Sequence, residues 1–145
     1  MTIDEIRENF AFLDDWEDRY RYLIELGRTL EPLAPEAHSA GNKVEGCASQ
    51  VWLQTTIDRS DPATPVLSFV GDSDAHIVRG LIAVLLAVYS GKAAREIVDH
   101  PAEPVFEELG LKSHLSAQRA NGLASMRKRI ERDAAGALAE ANVTP

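Results

Sequence analysis

Among 145 residues the chain has one cysteine, Cys47, and that scarcity narrows the chemistry at once. A lone thiol cannot close an internal disulfide. Nor can it supply the several thiolates of a structural zinc site or an iron–sulfur cluster. Basic residues are also in deficit: 15 Lys and Arg against 23 Asp and Glu leave a formal net charge of −8. That balance argues against nucleic-acid backbones and anionic membranes, which attract positive surfaces. Long apolar runs are missing as well. The longest, Gly80 to Tyr89, falls well short of the about 20 residues that a spanning helix needs. Met1-Thr2-Ile3-Asp4-Glu5-Ile6 lacks a basic region followed by an apolar stretch, so no targeting segment is expected. One reduced thiol suits a reducing cytosol, and the expected location is cytoplasmic.

What remains is the composition of an ordinary folded domain, 45% hydrophobic and 26% charged, without repeats or low-complexity tracts. The expectation is a single domain over residues 1–145, its core at about 3–134 and its tail frayed near Gly136. Thr2 and Glu5 form a capping box ahead of Ile3, Ile6, Phe10 and Leu13, which recur at helical spacing. Asp14 or Asp15 caps a second helix carrying Trp16, Tyr20, Leu23, Ile24 and Leu30, and Pro32 and Pro35 stop it. Residues 36–46 read as loop with a short extended piece at 42–45. From Val51 the pattern switches to period two, with Val51, Leu53, Thr55 and Ile57 on one side, and Val66 to Val70 reads as the returning strand. Gly71-Asp72-Ser73-Asp74 marks a turn into a buried helix from about Asp74 to Tyr89, ended by Ser90-Gly91. Short helices follow near 93–98 and 104–109, and Ser116 caps a last helix carrying Leu123, Met126, Ile130 and Leu138. The expected class is α+β: a small antiparallel sheet of about three strands packed against flanking helices.

Cys47 lies in Gly46-Cys47-Ala48-Ser49-Gln50-Val51-Trp52, between a polar loop and a strand. From the residues alone, two readings stay open: a small buried hydrophobe, or a presented thiol with a chemical role. Reactivity requires a thiolate, hence a nearby cation or donated hydrogen bonds, and Lys43 is the only local candidate. A cysteine-dependent hydrolase would need His38 or His76 as base, and neither sits in a recognisable nucleophile motif. A plain interaction module with an incidental thiol is the other alternative. The basic group Arg127, Lys128, Arg129 and Arg132 reads as a solvated helix face. Arg119 is odd, because a cation in the first turn of a helix is disfavoured by the helix dipole.

The stretch Asn42-Lys43-Val44-Glu45-Gly46-Cys47-Ala48-Ser49-Gln50-Val51-Trp52-Leu53 resembles the signature of the SufE family of cysteine desulfuration proteins. So do Gly71 to Ala83, His114-Leu115-Ser116 with Arg119 and Gly122-Leu123, and Trp16-Glu17 with Tyr22 to Gly27. The resemblance covers residues 3–130. Ala48 departs from the glutamine common in the family, and the tail after about Ala134 has no obvious counterpart. The resemblance implies a fold similar to the iron–sulfur scaffold fold. It also implies a sulfur acceptor that activates a pyridoxal-phosphate-dependent cysteine desulfurase, with Cys47 taking up a persulfide and passing sulfur on to an iron–sulfur scaffold protein. Gly46, Ser49, Gln50, Asp74 and Arg119 would then support the loop or meet the partner. The pyridoxal phosphate would belong to the desulfurase, so this chain would need neither cofactor nor metal and would act as a carrier rather than an independent enzyme.

Overall fold

The most apolar stretch of the chain becomes the centre of the molecule, as a computed structural model describing residues 1–143 shows. This helix, α3 (His76–Tyr89), buries Leu81, Ile82, Val84 and Leu85 completely, because apolar side chains cover most of its circumference. It lies on a three-stranded antiparallel sheet of β1 (Val51–Asp58), β2 (Val66–Ser73) and β3 (Lys92–Ala93), in the order β1-β2-β3. Val51, Leu53, Leu67 and Phe69 point from the sheet into the same core. The class is α+β, with the sheet flanked by helices. Among the described residues no helix is long and apolar enough to cross a membrane.

Around this pair sit α1 (Ile3–Phe12), α2 (Trp16–Gly27), α4 (Ala94–Asp99), α5 (Glu103–Glu108), α6 (Leu111–His114) and the long α7 (Ala117–Val143). Local signals start several of them. The Thr2 hydroxyl accepts from the Glu5 amide at 3.2 Å and donates to the Glu5 carboxylate, and the Asp15 carboxylate accepts from the Glu17 amide at 3.0 Å. Ser116 opens α7, its hydroxyl accepting from the Arg119 amide at 3.2 Å. One face of α7 carries Leu123, Met126, Ile130 and Ala134 into the core.

Several elements differ from the expectation. β2 continues past Val70 through Gly71, Asp72 and Ser73, which pair with Leu53, Trp52 and Val51 instead of turning. Accordingly α3 starts at His76, and its N-cap, Ala75, makes no side-chain capping bond. The segment at 42–45 contributes one bridge, Lys43 to Trp52, along the outer edge of β1. The third strand proper is Lys92–Ala93 on the far side of β2. The turn of α6 has no counterpart in the sequence reading. α2 ends at Gly27, before the proline stop, and α7 runs through Gly136 to Val143.

α2 and α3 cross at Gly27 and Gly80, where only the absence of side chains allows the approach. A Cβ on Gly80 would stand 2.1 Å from the Leu23 carbonyl oxygen, a backbone atom that cannot step aside. Gly136, exposed on α7, has nothing within 4 Å of the same position. The two alanine substitutions should therefore have opposite signs. Gly136→Ala should gain about 0.5–1 kcal/mol from helix propensity. At Gly80→Ala that gain is outweighed by an overpacking cost of about 1–3 kcal/mol or more. Urea unfolding checks both, and a stabilised Gly80→Ala would show that the crossing is loose.

Candidate functional site: a loop-borne thiol over a cavity

The loop bearing Cys47 is closed at its base like a hairpin. The Val44 amide donates to the Val51 carbonyl at 2.8 Å, and the Leu53 amide donates to the Asn42 carbonyl at 2.8 Å. Between these pairs residues 45–50 have to reverse direction, and Gly46 does so at φ +85°, a left-handed conformation that favours glycine. A Cβ there would also come within 2.7 Å of the Ser125 hydroxyl, which would have to rotate away. The far end of the loop is tied down by Asp74, whose carboxylate accepts from the Gln50 amide at 3.0 Å. The acidic turn residue thus serves the cysteine loop rather than the start of α3.

Cys47 is half-buried at the apex. Its Sγ lies 3.7 Å from the Gly122 carbonyl oxygen of α7, within reach of a weak S–H donor. A cavity of about 300 Å³ opens beside it. Val51, Val78, Leu81 and Met126 form its apolar floor, while Ser49, Ser116, Gln118 and Arg119 supply its polar rim. Burial pushes the Cys47 thiol above its ordinary pKa, and the Glu45 carboxylate adds to the effect. At neutral pH the resting sulfur is therefore a thiol held against a carbonyl.

Of the residues singled out from the sequence, Cys47, Ser49 and Arg119 meet at the cavity. Gly46 backs the loop against α7, and Gln50 and Asp74 pair at its base; none of these three lines the cavity. Arg119 stands exposed in the first turn of α7, and its guanidinium makes no ion pair with any described residue. Neither His38 nor His76 lines the cavity. The Nε2 of His38 lies 2.8 Å from the Asp72 carboxylate, and its Nδ1 lies 3.1 Å from the Ala34 carbonyl. With acceptors at both ring nitrogens the imidazolium is favoured. The His38 pKa is raised, chiefly by the Asp72 hydrogen bond against a smaller effect of burial. An imidazole committed in this way is a poor base for a hydrolase. Among the described residues no group of three His, Cys, Asp or Glu is placed to hold a metal ion.

The sequence reading missed the underside of the loop. Arg129 is not part of a solvated face: its Nη2 donates to the Gly41 carbonyl at 2.6 Å and its Nη1 to the Lys43 carbonyl at 3.2 Å. Arg127 is likewise partly buried, paired with Glu131 at 2.9 Å. The only available signal was spacing, because Gly122, Ser125 and Arg129 fall at i, i+3 and i+7 on one side of a helix. These observations lead to a titration experiment. Alkylation of Cys47 in the free protein should have its pH midpoint above the about 8.5 of a free cysteine. Glu45→Gln should lower that midpoint, since it removes a negative charge that disfavours the thiolate. A midpoint below the free value would mean that a cation dominates the thiol's surroundings.

Comparisons with known proteins agree on one family. The SufE profile, described as an Fe–S metabolism associated domain, matches residues 4–134. A SufE-like protein of Rhizobium etli is 58% identical over 133 residues, covering 92% of this chain and 89% of that protein. Another, from Rhizobium meliloti, is 54% identical over 137 residues, covering 94% and 97%. The sulfur acceptor protein CsdE of Escherichia coli is 40% identical over 130 residues, covering 90% and 86%. A solution structure of a protein from Thermus thermophilus superposes with a TM-score of 0.73 at 17% identity, covering 96% of this chain and 99% of that one, which speaks to the fold alone. With its cysteine loop, its cavity and a match across nearly the whole length, the chain belongs to the SufE family.

Proposed function

We propose that this protein is a sulfur acceptor and activator for a pyridoxal-phosphate-dependent cysteine desulfurase, taking sulfur onto Cys47 and relaying it toward iron–sulfur cluster assembly. The observation that carries the reading is the only thiol of the chain at a loop apex over a cavity, with no imidazole in the lining. Membership of the SufE family supports it, as does 40% identity to a protein named a sulfur acceptor.

The chemistry is thiol exchange. The Cys47 thiolate attacks the outer sulfur of a persulfide on the desulfurase, a new S–S bond forms on Cys47, and the bond to the desulfurase sulfur breaks. The desulfurase cysteine leaves as a thiolate, and a proton is lost from the Cys47 thiol to solvent or to that leaving group. No net oxidation occurs. Pyridoxal phosphate stays on the partner, and this chain contributes the accepting sulfur, the cavity that shelters the product, and a docking face that includes Arg119 and Ser49, with Gly46 shaping the loop and the Gln50–Asp74 pair supporting its far end. Because the resting thiol is protonated and turned toward Gly122, docking has to draw the loop outward and favour the thiolate.

Incubation with desulfurase, cysteine and pyridoxal phosphate, followed by intact mass under non-reducing conditions, tests the acceptor step. One added sulfur should appear on the wild-type protein and be absent from Cys47→Ser, with faster desulfurase turnover only for the wild type. Full stimulation by Cys47→Ser would reject the acceptor mechanism in favour of an interaction module. Amide exchange at residues 45–49 should rise on docking, and an unchanged pattern would count against loop release.

A further inference from the structure

We infer that Arg129 is a positioning residue that sets the hinge of the Cys47 loop, clamping its base to α7 so that only the tip can leave. The inference rests on the reading of Cys47 as a sulfur acceptor. It concerns a residue that touches neither the thiol nor the cavity.

The loop runs antiparallel along one face of α7, touching it at three levels. At the tip, Cys47 meets Gly122; next, Gly46 packs against Ser125; at the base, the carbonyls of Lys43 and Gly41 meet Arg129. The strength of attachment rises from tip to base. A sulfur donor at 3.7 Å from a carbonyl is a weak bond. The Gly46 contact is one of shape. Arg129, by contrast, spans two carbonyls with charge-assisted bonds. Its side chain is only 16% exposed, although the carbonyls that it holds belong to exposed residues.

The fork is itself held from the sheet. Asp133 lies 3.6 Å from the Arg129 Nε and accepts from the Thr55 hydroxyl at 2.7 Å, which links the clamp to β1. Between the two clamped carbonyls the Asn42 carbonyl accepts from the Leu53 amide, and directly after them the Val44 amide donates to the Val51 carbonyl. Everything up to Val44 is therefore secured to α7 and β1 together, and from Glu45 to Ser49 the described hold on α7 is weak or merely steric. The boundary between the two regimes falls between Val44 and Glu45. A hinge there lets Cys47 swing out and return to the same place opposite Gly122. A lysine, with a single point charge on a flexible stem, cannot span both carbonyls as the planar guanidinium does.

The test compares Arg129→Gln and the milder Arg129→Lys with Arg127→Lys, a control at a partly buried arginine of the same helix that pairs with Glu131. In the free protein, Arg129→Gln should speed amide exchange at Val44 and Leu53 and raise the rate of Cys47 alkylation about fivefold, the effect of roughly one lost net hydrogen bond. Arg129→Lys should show the same changes in smaller measure, and Arg127→Lys neither. With the desulfurase, the Arg129 variants should raise the KM for this protein as sulfur acceptor more than they lower kcat, since the loop base is misplaced and the chemistry untouched. Unchanged exchange and alkylation in a folded Arg129→Gln, or equal changes in Arg127→Lys, would overturn the inference. Should Arg129→Gln fail to fold, Arg129→Lys decides alone on the same two measurements. Exchange and alkylation need no desulfurase, so they judge the hinge even if Cys47 proves to accept no sulfur.

Discussion

The backbone hydrogen bond from Val44 to Val51 is the constraint on which the site depends, because it joins the two ends of the cysteine loop. Once those residues are paired, the chain between them has no course but a tight reversal, and the thiol becomes an apex by geometry. The positive φ at Gly46, the hold of Asp74 on the Gln50 amide and the proximity of Gly122 all presuppose that closure. β1 supplies the Val51 half of the pair, and β1 is in turn placed by its antiparallel register with β2 against α3. The core thus reaches the sulfur through one strand.

Charge is arranged in the same economical manner. An acidic chain spends several of its few cations inside the fold. Asp72, paired across the sheet with Trp52, receives His38 from the segment leading into the cysteine loop and lies 3.2 Å from Arg79 of α3. Burial alone would push the Asp72 carboxyl up. The hydrogen bonds from His38 and the Ser73 amide, with the Arg79 charge, reverse this and hold it below the usual carboxylate range. On the opposite side of the loop Arg129 and Asp133 form the corresponding pair. Two charge centres therefore brace the approach to Cys47, while the cysteine itself is left in surroundings that keep it neutral.

What could be read from the sequence was whatever a few neighbouring residues decide among themselves. Thr2 with Glu5, Asp15 and Ser116 start helices through contacts two or three residues away, and the alternation from Val51 onward marks a strand whose inward side is buried at Val51 and Leu53 and opens to solvent by Ile57. The thiol loop was legible only in part: Gly46 and Cys47 stand shortly before the strand that starts at Val51, which left a buried and a presented thiol both open until the family resemblance was added. The extension of β2 through Gly71, Asp72 and Ser73 was not, since turn-forming residues become strand only when Leu53, Trp52 and Val51 are present as partners. Arg129 was misread for the same reason. On its own helix it resembles Arg132, and only the arrival of Gly41 and Lys43 from far along the chain separates a clamp from a solvated charge.

That one uninterrupted helix carries Arg119 at the cavity rim, Gly122 beside the sulfur and Arg129 under the loop has a mechanical consequence. The ten helical steps from Arg119 to Arg129 span about 15 Å along a single rod. The spacing between rim and loop base is thus set by covalent repeat and helical pitch rather than by packing between separate segments. A tilt or sideways shift of α7 carries both together and leaves their separation unchanged. The helix works as a ruler: it fixes how far the anchorage of the thiol loop sits from the edge that a visitor first encounters.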